Sequence, residues 1–275
     1  MQEVWADEVK ALNILCCFKI VSDLDLVMER DWSSADISGV DLGYVKKVIS
    51  CFDEAGLETA LRIKDSAEKQ GETVHITAIT VGKGRYEAFF KNLFAVGVER
   101  IIQGIFSAEL LFTPHTLSGI LSELAGQSEF DLVITGIQSA DGANGLTPYF
   151  LAERLGIPCI SNVSELLYTD GKLRVTCDTG NSVRRCAVKA PALFAIGNSV
   201  NPYLRMATLK QKLAVSKLSA ETIEVTETSH SNGKDAVLCS LSHEKKLRCC
   251  VLIEGETCMD KAAKLLESYP EVVKR

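Results

Sequence analysis

Residues 130–156, FDLVITGIQSADGANGLTPYFLAERLG, hold the types and spacing best suited to chemistry, and that chemistry is ligand binding. An apolar run of strand length, 132–135, passes into a loop of small and polar residues, 136–145. An apolar-periodic helix follows, with Leu146, Phe150, Leu151 and Leu155. Strand, glycine-rich loop and helix is the order in which α/β proteins offer backbone N–H groups to a phosphate. Gly136, Gly142 and Gly145 lack a Cβ and let main chain and ligand come close. Asp141 could cap the turn or accept a hydrogen bond from a ribose or an adenine. The plainer alternative is a tight strand-to-helix connection with no ligand. The pattern is neither GxGxxG nor GxxxxGK[ST], so it specifies neither a dinucleotide nor a Walker site.

Covalent chemistry finds no support. The chain has no GxSxG and no HExxH. Ten cysteines include the adjacent pairs Cys16–Cys17 and Cys249–Cys250, but no CxxC. Most cysteines lie in apolar runs, where a thiol packs as a small hydrophobe. Four histidines show no ligand spacing. Lys19, at the end of an apolar run, could meet a phosphate or a flavin, or simply snorkel to solvent.

The elements that must position these residues belong to a chain of 275 residues, 47% hydrophobic, with net charge −6. That is enough to bury a full core. Both signs of charge are dispersed, which argues against a nucleic-acid surface. No apolar run reaches the roughly 18 residues of a membrane span. The acidic N-terminal stretch lacks the apolar core of a secretory signal, so a cytoplasmic location is expected.

In order, 12–20 reads as a strand buried on both faces. Residues 21–48 form a long excursion with room for a hairpin. A helix is expected over 53–70, with Ser50 placed to cap it or to bind. Residues 73–81 read as a strand, 86–96 as a helix closed by Gly97, 100–103 as a short strand, and 114–125 as a third helix. Strands alternating with helices predict a doubly wound, mostly parallel sheet, with ligands at the carboxyl ends of its strands. Cys17, Phe18, Lys19, Val81 and the loop from Gly136 all fall at such ends. Beyond Pro158 the texture is that of consecutive antiparallel strands, with turns at Asp170-Gly171 and Gly180-Asn181. Residues 192–196 are expected to return to the main sheet. An exposed loop over 198–206 and a short helix over 208–214 follow. Residues 218–236 read as an extended linker, 248–253 as a strand, and 260–266 as a closing helix.

These segments, in this order, resemble the beta subunit of electron-transfer flavoproteins, the FixA-like branch included. The likeness lies in CCFKIVSD, SCFDEAGLETALRIKD, ITAITVG, GIQSADGANG, LAERLGIP, KAPALFAI with NPYLRMATLKQKLA, and IEGETCMDKAAKLLESY. It covers most of the chain. The family's Asn-Pro at the helix opening is Ser50-Cys51 here, and its Gln-Val-Gly-Pro is Leu146-Thr147-Pro148-Tyr149.

The resemblance implies an α/β, Rossmann-like fold of adenine-nucleotide-binding type, with an antiparallel extension and a C-terminal arm. Residues 1–215 would be the nucleotide-binding domain, and 216–275 a linker, strand and helix packing on a partner. It implies a heterodimer with an alpha subunit that holds FAD, and AMP or a second FAD on this chain. The pair would be an electron carrier, not an enzyme, between flavin dehydrogenases and an acceptor, with electron bifurcation an option in some members. Loop 198–210 would meet the dehydrogenase. Carried over by position, the nucleotide contacts are Cys17, Phe18, Lys19, Ser50, Cys51, Phe52, Asp53 and Val81. With them go Gly136, Ile137, Gln138, Ser139, Ala140, Asp141, Gly142, Ala143, Asn144, Gly145, Leu146 and Thr147. A stand-alone adenine-nucleotide module of stress-sensor type is the rival from another class.

Overall fold

The apolar run over 12–20 does not stay one strand. In the computed structural model, which describes residues 11–33, 40–107, 110, 112–169, 172–226 and 250–270, β1 is Leu12–Cys17 and β2 is Ile20–Ser22. Between them the Phe18 N–H makes the last bond to the neighbouring strand, to the Ile79 carbonyl at 2.9 Å. The Lys19 N–H turns away from the sheet. A 3-10 turn at Leu24–Leu26 and α1 (Glu29–Ser33) follow. β3 (Lys47–Ile49) then pairs antiparallel with β2, the hairpin expected in this excursion.

α2 (Cys51–Glu68) leads to β4 (Val74–Val81), α3 (Glu87–Val96), β5 (Arg100–Ile105), α4 (Pro114–Ala125), β6 (Leu132–Gly136) and α5 (Thr147–Leu155). Gly97 ends α3 in the left-handed conformation, at φ 118°. β7 (Cys159–Thr169), β8 (Lys172–Asp178) and β9 (Val183–Val188) form the antiparallel extension. Thr169 pairs with Lys172, and the expected turn between them, Asp170-Gly171, lies outside the described residues. β10 (Ala192–Ile196) returns to the sheet in parallel between β6 and β7. α6 (Leu209–Ala214), β11 (Glu221–Glu224) and α7 (Cys258–Ser268) complete the chain.

The main sheet has the order β11-β5-β4-β1-β6-β10-β7-β8-β9, parallel from β11 through β7. Its two faces bury separate cores. Ile14, Ile76, Ile134 and Phe194 pack with Leu57 and Leu61 of α2 and Leu93 of α3. Leu15, Ile79, Val133 and Leu193 pack with Ile120 and Leu124 of α4 and Leu151 of α5. Helices on both faces explain why the strands read as unbroken apolar runs rather than as alternation.

Two expectations for the C-terminal part are corrected. The linker predicted from residue 218 contains β11, which adds in parallel to the edge of the sheet beside β5. Arg100 on β5 donates to both carboxylate oxygens of Glu221, at 2.8 and 2.7 Å, and this pairing holds a short polar strand that periodicity does not reveal. Within the strand predicted over 248–253, residues 250–253 form none, and 248–249 lie outside the described residues.

One carboxylate joins the elements that shape the sheet's carboxyl end. Asp53, in the first turn of α2, accepts the Lys19 N–H on Oδ2 at 2.9 Å and the Gly136 N–H on Oδ1 at 2.8 Å. The ends of β1 and β6 are thereby fastened to one helix. A Cβ at residue 136 would overlap this carboxylate, so Gly136 is required by the clamp. Burial pushes the Asp53 pKa from 3.8 to about 7, against the opposing pull of the two N–H groups and of Lys19. Because the folded-state pKa is raised, the penalty for holding Asp53 charged is absent below about 3.8, builds as pH rises, and is complete above about 7. That penalty is on the order of 4 kcal/mol. Unfolding free energies at pH 5 and pH 8 should therefore show the wild type losing more stability with rising pH than Asp53→Asn. Identical pH slopes for the two proteins would refute the buried-charge account.

Candidate functional site

The carboxyl ends of β1, β4 and β6 open onto a cleft of about 760 Å³, counting its mouth. Such an end collects loops and helix N-termini, because β1, β4 and β6 are each followed by a helical crossover. β1 supplies Cys17, with Phe18 and Lys19 just beyond it, α2 supplies Asp53, and β4 supplies Val81. β6 ends in Gly136, and the loop after it brings Ile137, Gln138, Ser139, Asn144 and Gly145, with Thr147 opening α5.

The other expected site residues stand around the cleft without lining it. Ser50 is fully buried, and its Oγ accepts the Ala140 N–H at 3.3 Å, fastening the loop to α2; it makes no side-chain cap on that helix. Asp141 and Gly142 form a turn in which the Asp141 carboxylate accepts the Gly142 N–H at 2.8 Å. Phe52 packs beneath Gly136. Cys51, Ala143 and Leu146 are exposed.

Six lining residues were not foreseen: Leu110, Pro114, Leu117, Leu121, Thr135 and Pro148. The first four recur at spacings of four, three and four, one face running into α4, and they form an apolar wall. That periodicity was visible in the chain. Its link to the site was not, because α4 reaches the cleft only through its packing on the sheet and on α5.

Lys19 is the only lysine or arginine among the lining residues, and it is engaged. Its Nζ lies 2.8 Å from both carboxylate oxygens of Asp141. Burial alone would raise the Asp141 pKa, but the charge and hydrogen bond of Lys19 outweigh it and hold the carboxyl below its ordinary value. Cys17 is no nucleophile: burial and the nearby Asp53 push its thiol up to about 12. Anion-binding capacity lies instead in the main chain. Ala143 and Gly145 both adopt positive φ, 45° and 65°. The N–H groups of Gly145 and Thr147 have no acceptor among the described residues, and they sit at the N-terminus of α5. Among the described residues no cluster of His, Cys, Asp and Glu could hold a metal ion. No described helix is long and apolar enough to cross a membrane.

A second cluster is built on α2 from residues that do not line the cleft. Leu204 donates its N–H to Glu54 Oε1 at 3.1 Å. The Arg205 N–H and Nε both reach Glu58 Oε2 at 3.0 Å, and its two terminal nitrogens reach Glu58 Oε1 at 3.0 Å and Asp65 Oδ2 at 2.8 Å. The loop over 198–206 is thus pinned, while Tyr203, Met206, Leu209 and Leu213 point outward, Met206 at 92% exposure. α7 buries none of its residues and exposes Met259, Leu265 and Leu266.

With this geometry in place, comparison with known proteins is specific. The electron transfer flavoprotein domain model matches residues 40–228. YgcR of Escherichia coli strain K12, whose name places it among electron transfer flavoprotein subunits, is 30% identical over 262 residues, 94% of this chain and 97% of its own. The electron transfer flavoprotein subunit beta of Mycobacterium leprae is 25% identical over 83% of this chain and 87% of its own. That of Bacillus subtilis is 27% identical over 65% of this chain and 70% of its own. The chain therefore belongs to the electron transfer flavoprotein family, as a member of beta-subunit type.

Proposed function

We propose that this chain pairs with an electron-transfer flavoprotein alpha subunit that holds FAD, and that its own cleft binds AMP or a second FAD. The observation that carries the cleft's part is the strand-end crevice in which the Gly145 and Thr147 N–H groups, at the start of α5, have no acceptor among the described residues. An apolar wall from α4 offers a face for a flat ring, and those N–H groups offer bonds to a phosphate. FAD supplies the redox chemistry; this chain's residues position and shield. Asp53 keeps the strand ends in register, and Lys19 with Asp141 closes one side of the crevice. The remaining expected contacts, from Ser50 to Phe52 and from Ala140 to Ala143, act by fixing the loop rather than by touching the ligand.

The exposed apolar row on 198–210 is the surface offered to a partner flavin dehydrogenase, and residues 250–270 are the arm offered to the alpha subunit. A helix such as α7, with an apolar stripe and nothing buried, needs a partner to cover it.

Three outcomes are expected. Denaturing the co-purified complex and separating its small molecules should release FAD with AMP, or two FAD; FAD alone would empty the cleft of its assigned role. Lys19→Met, which strands the Asp141 carboxylate, should weaken nucleotide binding by about tenfold while the complex still assembles. Arg205→Met should lower stability by about 2 kcal/mol, since the buried Glu58 keeps the residue-205 backbone N–H and Arg62 but loses the two hydrogen bonds of the guanidinium. The same change should speed hydrogen exchange over 199–206, and unchanged exchange there would overturn the anchoring assigned to Arg205.

A further inference from the structure

Thr135 sits in the wall of the cleft with its hydrogen-bonding capacity unused. β6 alternates: Leu132 and Ile134 pack under α2, whereas Val133 joins the core of α4 and α5. Thr135 therefore faces the α4 side, where it lines the cleft together with Leu117 and Leu121. Its side chain is buried, 6% exposed, and its Oγ1 has no partner among the described residues. A buried hydroxyl without a partner is destabilising, and a valine of the same shape would pack there with no such defect. No hydrogen bond among the described residues fixes its χ1, and a change of rotamer would turn the hydroxyl toward the cleft. The rest of this wall, Leu110, Pro114, Leu117, Leu121 and Pro148, has no side-chain donor or acceptor to offer.

A second unpartnered threonine serves as an internal comparison. Thr80 Oγ1 is equally buried and equally without a partner. It lies on the other face of the sheet, following Ile76 and Ala78 under α2 and α3, and does not line the cleft.

We infer that Thr135 is a specificity residue of the cleft, its hydroxyl bonding a ring heteroatom of the bound nucleotide against the apolar wall of α4. This rests on the reading of the cleft as an adenine-nucleotide site. A hydroxyl both donates and accepts, so it suits the edge of a purine, where ring nitrogens and an amino group alternate. Without it, the inner wall would recognise the ring by shape alone.

The test uses the full chain in complex with its alpha subunit, stripped of exchangeable nucleotide and titrated with AMP and with FAD. Thr135→Val should bind about three- to tenfold more weakly, while its melting temperature stays level or rises. Thr135→Ser, which keeps the hydroxyl, should bind within twofold of wild type. Thr80→Val should also melt no lower than wild type, with affinity unchanged. Equal affinity for wild type and Thr135→Val overturns the inference, as does an equal loss in Thr135→Ser, which would assign the effect to shape. If the wild type binds neither AMP nor FAD, the reading of the cleft falls, and this inference with it.

Discussion

The arrangement of the cleft depends on one buried carboxylate. A parallel sheet fixes its strands by ladder bonds, but those bonds stop where the strands end, and the chain beyond is free to diverge. Here the divergence is held by Asp53. It takes one N–H from Lys19, two residues past β1, and another from the last residue of β6, so a single rigid group sets the distance between them. The electrostatic cost is visible in its raised pKa. The structural return is a crevice floor whose two sides move together with α2. Gly136 follows from the same constraint, because the carboxylate occupies the space a side chain would need.

The charge pattern above that floor has a further consequence. Lys19 looked, from its position at a strand end, like a cation awaiting a phosphate. It is instead neutralised by Asp141 across the loop. Loop closure and phosphate binding compete for the same ammonium, and in this conformation closure has it. The anion binding proposed for the cleft would then fall to main-chain N–H groups at the start of α5, which carry no net charge and require no counterion. Such a site reads geometry more than charge. That suits the nucleotide proposed for this cleft, with its ring against the α4 wall.

The sheet was legible because its strands, buried on both faces, are near-continuous apolar runs, and its helices are amphipathic with clear ends. Pro114 and Gly97 marked boundaries that the structure keeps. What escaped was set by tertiary pairing. The break after Cys17 leaves no trace in hydrophobicity, since Phe18 and Ile20 are as apolar as β1; it exists because the Lys19 N–H finds Asp53 thirty-four residues away. β11 escaped because its ordering comes from Arg100 on the neighbouring strand, in a polar segment with no periodicity of its own. At the site, the glycine loop announced itself, because the backbone there needs residues without Cβ. The α4 wall did not, because its leucines are indistinguishable in sequence from core leucines, and part of their surface faces a crevice only after α4 and α5 are packed together.

The edges of the molecule differ in how they meet solvent, and the difference bears on how a partner attaches. β9 is an exposed edge strand, the kind that invites pairing with another chain, yet Arg184 and Arg185 lie within it and Lys189 follows it. Cations on an edge oppose strand addition. The opposite edge is closed by β11, short and acidic, and tied back to β5 through Arg100. Neither edge is built to extend the sheet. α6 and α7, by contrast, carry well-formed capping boxes, Thr208 with Gln211 and Thr257 with Asp260, and then leave Leu209, Leu213, Met259 and Leu266 uncovered. Helices this short are marginal alone in water. Caps that define their starts, combined with apolar faces that find no cover among the described residues, fit the proposal that a partner supplies the cover. In the proposed complex the partner would therefore meet helix faces and the pinned loop beside α6 rather than the sheet's edges.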